Sequence, residues 1–175
     1  MGRSRYKIVD NQPYFVTCTV LGWLPVFTRP ETAAIILSTL QFFQKQGLQI
    51  YAYVILDNHL HLVVQSENLQ RDLSRFKSYT AKQLIKYLQQ HQVQRILEQL
   101  QMYKKSHKHD RQYQFWQEGL HPQSIQSHAI LAQKVNYIHQ NPVKRGYVDK
   151  AEHWRYSSAR NYQGSEGLLE INKDW

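Results

Sequence analysis

A single cysteine, Cys18, stands among 175 residues, so the chain can hold no internal disulfide and no zinc site built from several thiolates. That usage fits a reducing compartment. Glycine and proline are sparse, at 7 and 5 residues, and nowhere gather into a linker or a low-complexity tract. Internal repeats are also missing, which leaves one domain spanning 1–175 as the expected organisation. No apolar run approaches the roughly 18–20 residues that cross a bilayer. The start, Met1-Gly2-Arg3-Ser4-Arg5-Tyr6, leads into no apolar signal core. A soluble intracellular protein without membrane association is therefore predicted. Acidic residues are few: 13 Asp and Glu face 22 Lys and Arg, for a formal net charge of +9. With 42% hydrophobic and 20% charged residues the chain is globular, not disordered. Its excess positive charge suits a polyanionic partner, or serves only general solubility.

Periodicity outlines the elements. Tyr14 to Val20 is β-branched and aromatic, and predicts a first strand. Glu31 to Gln46 carries Ile36, Leu40 and Phe43 at helical spacing, and Gly47 should end that helix. Leu48 to Leu56 alternates as a second strand. Asp57-Asn58 is turn chemistry, and His59 to Gln65 reads as a third strand paired with the second as a hairpin. Leu69 to Leu88 is again helical, with Leu69, Leu73, Phe76 and Leu84 inward and Arg71, Arg75, Ser78, Lys82 and Lys86 along the opposite stripe. Val93, Ile96, Leu100 and Tyr103 mark a further helix, followed by a Lys- and His-rich loop from Lys104 to Arg111. Tyr113 to Ile125 is expected to hold the last strand, broken by Gly119 and Pro122. Ser127 should cap a final helix that Asn141-Pro142 stops near Gln140. This order predicts an α+β, ferredoxin-like (split βαβ) antiparallel sheet with helices and an additional C-terminal helix.

Two clusters of side chains carry chemistry. His59 and His61 lie two apart on a strand, so both leave one face, about 6.6–6.8 Å apart at the backbone. Leu60, Leu62 and Val64 leave by the other face. Two such imidazoles can converge on one cation, or merely decorate an exposed strand; a metal site would need a further ligand from elsewhere. On the last helix Lys134, Tyr137 and Asn141 share a stripe beside the apolar Leu131, Val135 and Ile138. A tyrosine there can pack its ring and keep its hydroxyl reachable. Phenols are poor nucleophiles until a base or cation assists ionisation, which Lys134 can do electrostatically, while Asn141 offers a neutral oxygen ligand. The plainer alternative is a tyrosine packed at a core boundary.

Four segments together resemble a known family: Asp57-Asn58-His59-Leu60-His61-Leu62-Val63-Val64, Phe115 to Pro122, Tyr137-Ile138-His139-Gln140-Asn141-Pro142-Val143-Lys144-Arg145-Gly146, and Trp154 to Tyr162. In content, order and spacing they are similar to the IS200-type tyrosine transposases, and within them to the REP-associated group of HUH endonucleases acting on single-stranded DNA. The resemblance covers Tyr14 to Tyr162. It implies a catalytic core over about 14–142 with a C-terminal extension over 143–175. It also implies a divalent metal, Mg²⁺ or Mn²⁺, on His59 and His61, with Asn141 as an extra ligand. Tyr137 would be the nucleophile that forms a 5′-phosphotyrosine link and frees a 3′-hydroxyl. The implied partner is single-stranded or hairpin DNA, met by a monomer or homodimer in a bacterial cytoplasm, nucleoid-associated when bound to DNA. Two departures stand out: Asp57 replaces a common proline and can alter charge near the metal, and Arg145 replaces a smaller residue, a change expected to matter little.

Residue chemistry adds candidate DNA contacts. Arg71, Arg75, Lys82 and Lys86, with Lys104, Lys105, Lys108 and Arg111 of the loop, can track phosphates. Trp23, Trp116 and Tyr113 can stack unpaired bases. The helix stripe is equally an ordinary solvated face. His107 and His109 repeat the two-residue spacing, but in a charged loop, where phosphate contact or exposure is expected. Outside the family, a nucleic-acid-binding module without catalysis and a hydrolytic metal-dependent nuclease remain the alternatives.

Overall fold

Residues 8–174 are described by the computed structural model; the reading of Met1 to Tyr6 lies outside them. Strands β1 (Tyr14–Thr19), β2 (Gln49–Ile55), β3 (His59–Gln65) and β4 (Gln123–Ser124) form one antiparallel sheet in the order β2-β3-β1-β4. Helix α1 (Pro30–Gln44) joins β1 to β2, so two strands joined by a helix flank a third, as split βαβ pairing requires. Helices α2 (Leu69–Gln90), α3 (Gln94–Met102), α4 (His128–Lys144) and the short α5 (Ala159–Tyr162) complete the chain. The fold is α+β and ferredoxin-like. Among the described residues no helix is long and apolar enough to cross a membrane.

Strand alternation divides the core into two layers. Tyr14, Val16 and Cys18 of β1, with Leu60, Leu62 and Val64 of β3, pack with Ile36 and Leu40 of α1 and Leu69, Leu73, Phe76 and Leu84 of α2. On the other face Phe15 and Val63 meet Leu131, Val135 and Ile138 of α4. A sheet covered on both faces explains why β2 is apolar almost throughout. Its expected alternation slips once: a bulge between Ile50 and Ala52 leaves Leu48 and Ile50 on the α1–α2 side and sends Ala52, Val54 and Leu56 to the α4 side. Residues after α4 return along the outer edge of β2, where Ile55 N–H donates to Tyr156 O at 2.8 Å and Ser158 N–H to Tyr53 O at 3.0 Å. That edge is thereby closed to other strands.

Two boundaries differ from expectation. The Tyr113–Ile125 region pairs only at its ends: Trp116 bridges Val20, and Gln123–Ser124 pairs with Phe15 and Tyr14. Between them Gly119 adopts φ +82°, and Pro122 lacks an N–H to offer a ladder. The final helix also does not stop at Asn141-Pro142. Proline in the last turn costs one bond but fits helical φ, and α4 continues to Lys144. Gly146 ends it at φ +72°, with Gly146 N–H on Val143 O and Tyr147 N–H on Pro142 O, both at 2.9 Å. Those paired bonds are the Schellman geometry that favours glycine.

Candidate functional site

β3 presents His59 and His61 to the α4 side of the sheet, while its leucines enter the opposite layer. Both histidines are buried, with ring centroids 4.8 Å apart. Each ring is anchored through Nδ1. His59 Nδ1 lies 2.6 Å from Asn58 Oδ1. Asn58 Nδ2 donates to Trp23 O at 3.1 Å, which turns the amide oxygen toward the imidazole, so Nδ1 carries the proton and Nε2 keeps its lone pair. His61 Nδ1 lies 2.8 Å from Thr17 Oγ1, its cross-strand partner in register. Phe15 stacks on His61 at 5.2 Å, and Trp23 sets its edge on His59 at 5.6 Å. Such second partners orient imidazoles for metal binding.

Burial pushes His59 down to about 4, helped by Arg145 and opposed by Asp57. It pushes His61 down to about 3, helped by His59, Arg145 and Lys134. Both rings are therefore neutral near pH 7 and can offer lone pairs. His139, buried on Ser158 Oγ at 2.8 Å, is likewise pushed down to about 4 by burial. In the unfolded chain histidines titrate at about 6.5, so on acidification the unfolded state takes up protons first. The stability these groups confer is complete above that value and is lost as pH falls toward 4. Urea unfolding should lose at least about 2 kcal/mol between roughly pH 7 and pH 5, and His139→Gln should flatten that dependence.

α4 supplies the remaining groups. Ser127 caps it, its side chain accepting from Ile130 N–H, and the buried Leu131, Val135 and Ile138 fix which stripe faces the histidines. Tyr137 is 42% exposed, yet its ring lies 5.4 Å from His61 and 5.8 Å from Phe15. The hydroxyl-bearing ring thus meets solvent and the imidazole pair at once. Lys134 holds its ammonium 4.8 Å over Phe15 and donates to Gln123 Oε1. Asn141 is buried, and its Oδ1 accepts from Arg145 Nε at 3.2 Å. Arg145 Nη1 stands 3.7 Å from Asp57 Oδ1. Arg145 was expected to matter little; instead it contacts a candidate ligand and pairs with the other departure, Asp57.

Among the described residues no three His, Cys, Asp or Glu side chains gather into a metal cluster. Two neutral imidazoles, joined by the Asn141 amide oxygen, would suit a divalent cation that keeps several positions for water or phosphate oxygen.

Other expected contacts are dispersed. Arg71, Arg75, Lys82 and Lys86 are exposed, but on α2, across the sheet from the histidines. Lys82 meets Lys108 and Arg111 in a groove of about 600 Å³ between α2 and the 108–118 segment. Charge there is partly compensated, because Lys108 and His107 pair with Glu118 and Arg111 pairs with Asp110. Lys104 Nζ is committed to Lys108 O, while Lys105 is exposed. Burial overturns the expected stacking role of Trp116: it is 6% exposed and wedged against Phe27 and Phe115. Trp23, also expected to stack bases, is 54% exposed and stands at His59. Thr17 and Asn58 escaped sequence reading; the strand register and the residue preceding His59 were their only signals.

No model of a known protein family matches the sequence. A Haemophilus influenzae protein bearing the inferred name REP-associated tyrosine transposase is 31% identical over 108 residues, covering 61% of this chain and 56% of that protein. The chain thus spans little more than half the length of this curated relative. A solved REP-associated tyrosine transposase, bound to a REP hairpin, superposes with a TM-score of 0.63 at 16% identity, covering 99% of this chain and 93% of that one. At that identity the superposition establishes the fold. By a partial match to a curated relative and by its architecture, the chain is similar to the REP-associated tyrosine transposases.

Proposed function

We propose that the protein is a metal-dependent, single-stranded DNA endonuclease and strand transferase, transposase-like, in which Tyr137 is the nucleophile. One observation carries the reading: a half-exposed tyrosine ring lies 5.4 Å from a buried, neutral histidine pair contributed by another element. Tyr137 Oη would bond to phosphorus and lose its proton to solvent. The bond from phosphorus to the 3′-oxygen would break, and that oxygen would leave as a 3′-hydroxyl. A 5′-phosphotyrosine link remains, and reversal by an incoming 3′-hydroxyl completes strand transfer without an external energy source. His59, His61 and Asn141 would hold the divalent cation, Mg²⁺ or Mn²⁺, which when bound polarises the phosphate. Lys134 adds positive charge beside the developing phenolate. Tyr137 and the histidines meet within one chain, which supports catalysis by a single copy. A DNA hairpin is the proposed substrate, by analogy with the solved relative, with an unpaired flank on which Tyr137 can act.

Incubation with such a DNA hairpin and Mn²⁺ should yield a covalent adduct that maps to Tyr137 by peptide sequencing and is absent with chelator. Free 5′-phosphate ends without adduct would instead show a hydrolytic nuclease. Binding without any cleavage would show a nucleic-acid-binding module.

A further inference from the structure

Arg145 lies one turn beyond Asn141, at the C-cap of α4, and folds back along the helix in the direction helical side chains lean. Its Nε–H is taken by Asn141 Oδ1 at 3.2 Å. Its Nη1 is 3.7 Å from Asp57 Oδ1, close enough for charge pairing but too far for a hydrogen bond. That carboxylate oxygen is buried and has no hydrogen-bond partner among the described residues. A guanidinium offers five donors in a planar fork. Here the carboxylate restrains the fork by charge and leaves its Nη donors without a hydrogen-bond partner among the described residues, with the side chain 35% exposed. The positive charge reaches both imidazoles, and Tyr137 leaves the same helix two turns earlier.

Resting on the Tyr137 reading above, we propose that Arg145 is the phosphate receptor of the site. Its Nη donors take a non-bridging oxygen of the phosphodiester presented to Tyr137, while Asn141 and Asp57 hold the fork in place. Planar, bidentate recognition is what arginine offers over lysine at phosphate. Asp57 alone would make Arg145 a structural tie between α4 and the β2–β3 turn. The unused donors set it apart from a tie, whose donors would be consumed by its partners.

The test uses metal-free protein in chelator and a DNA hairpin with an unpaired flank, followed by fluorescence anisotropy. One flank phosphate at a time is replaced by an uncharged methylphosphonate. For the natural chain one position should weaken binding about tenfold, the size of one charge-assisted hydrogen-bonding pair. Arg145→Gln should bind about tenfold more weakly, lose that position-specific penalty, and reduce the log–log salt slope by about 0.7. Arg145→Lys keeps charge without the fork; should the Gln variant not fold, its penalty at that position must shrink at least about threefold. A penalty of equal size in the natural chain and the variants, or at no position, overturns the assignment. Adduct formation is read separately: its absence beside an intact phosphate coupling overturns the Tyr137 reading alone, and its presence without coupling overturns the Arg145 assignment alone.

Discussion

Tyr137→Phe is expected to lower covalent protein–DNA adduct at least about 10³-fold, because no bond to phosphorus can form without the phenolic oxygen. The substitution removes one atom and keeps the ring, so the packing on His61 at 5.4 Å and on Phe15 at 5.8 Å is retained. The hydroxyl makes no hydrogen bond among the described residues, and the side chain is 42% exposed. Stability should therefore move by less than about 0.5 kcal/mol, and hairpin affinity should persist. Denaturing gels of labelled DNA read the adduct, and urea unfolding reads the fold. Equal adduct in the Phe variant would place the nucleophile on another side chain. Adduct lost together with the fold would show that the hydroxyl supports structure instead. The sharp separation expected here follows from where the tyrosine sits: its ring packs on His61 and Phe15 while the residue stays open to solvent.

The parts of this molecule that sequence reading reached are those governed by local rules. Strand-type composition, turn residues and 3.6-residue periodicity placed β1, β3, α1 and α2 to within a residue or two. The same rules put His59 and His61 on one face and Lys134, Tyr137 and Asn141 on one stripe. What they could not reach depends on partners distant in sequence. The bulge in β2 is set by pairing with β3. The anchoring of His61 by Thr17 requires the β1–β3 register. Arg145 and Asp57 looked like two unrelated departures until the fold set them 3.7 Å apart. Charge misled most. The stripe of α2 satisfies every sequence criterion for tracking phosphate, but its buried face belongs to the layer beneath the sheet, which turns the stripe away from Tyr137.

Burial takes Trp116 out of the stacking candidates, and it offers the second large effect. Trp116→Ala should destabilise the protein by about 3–5 kcal/mol, a sizeable share of the roughly 5–15 kcal/mol that holds a domain folded. The ring is 6% exposed and lies 4.9 Å from Phe115 and 5.9 Å from Phe27. Its Nε1–H reaches Lys77 O and Thr80 Oγ1, each at 3.1 Å, so it joins α2 to the segment that closes the end of β1. Truncation leaves a cavity between α2 and this segment. Trp116→Phe keeps most of the apolar area and gives up the indole bond, so it should cost only about 1 kcal/mol. A base-stacking residue would behave in the opposite order: Ala would leave stability nearly unchanged and cost about 1–3 kcal/mol of single-strand affinity. Urea unfolding of both variants, paired with oligonucleotide binding below their transitions, separates the two roles. A stable Ala variant with weakened DNA binding would return Trp116 to the DNA surface. The burial predicts instead a marginal fold whose surviving native fraction binds DNA as the natural chain does, because the ring holds β1 and α2 together from inside and never meets the strand.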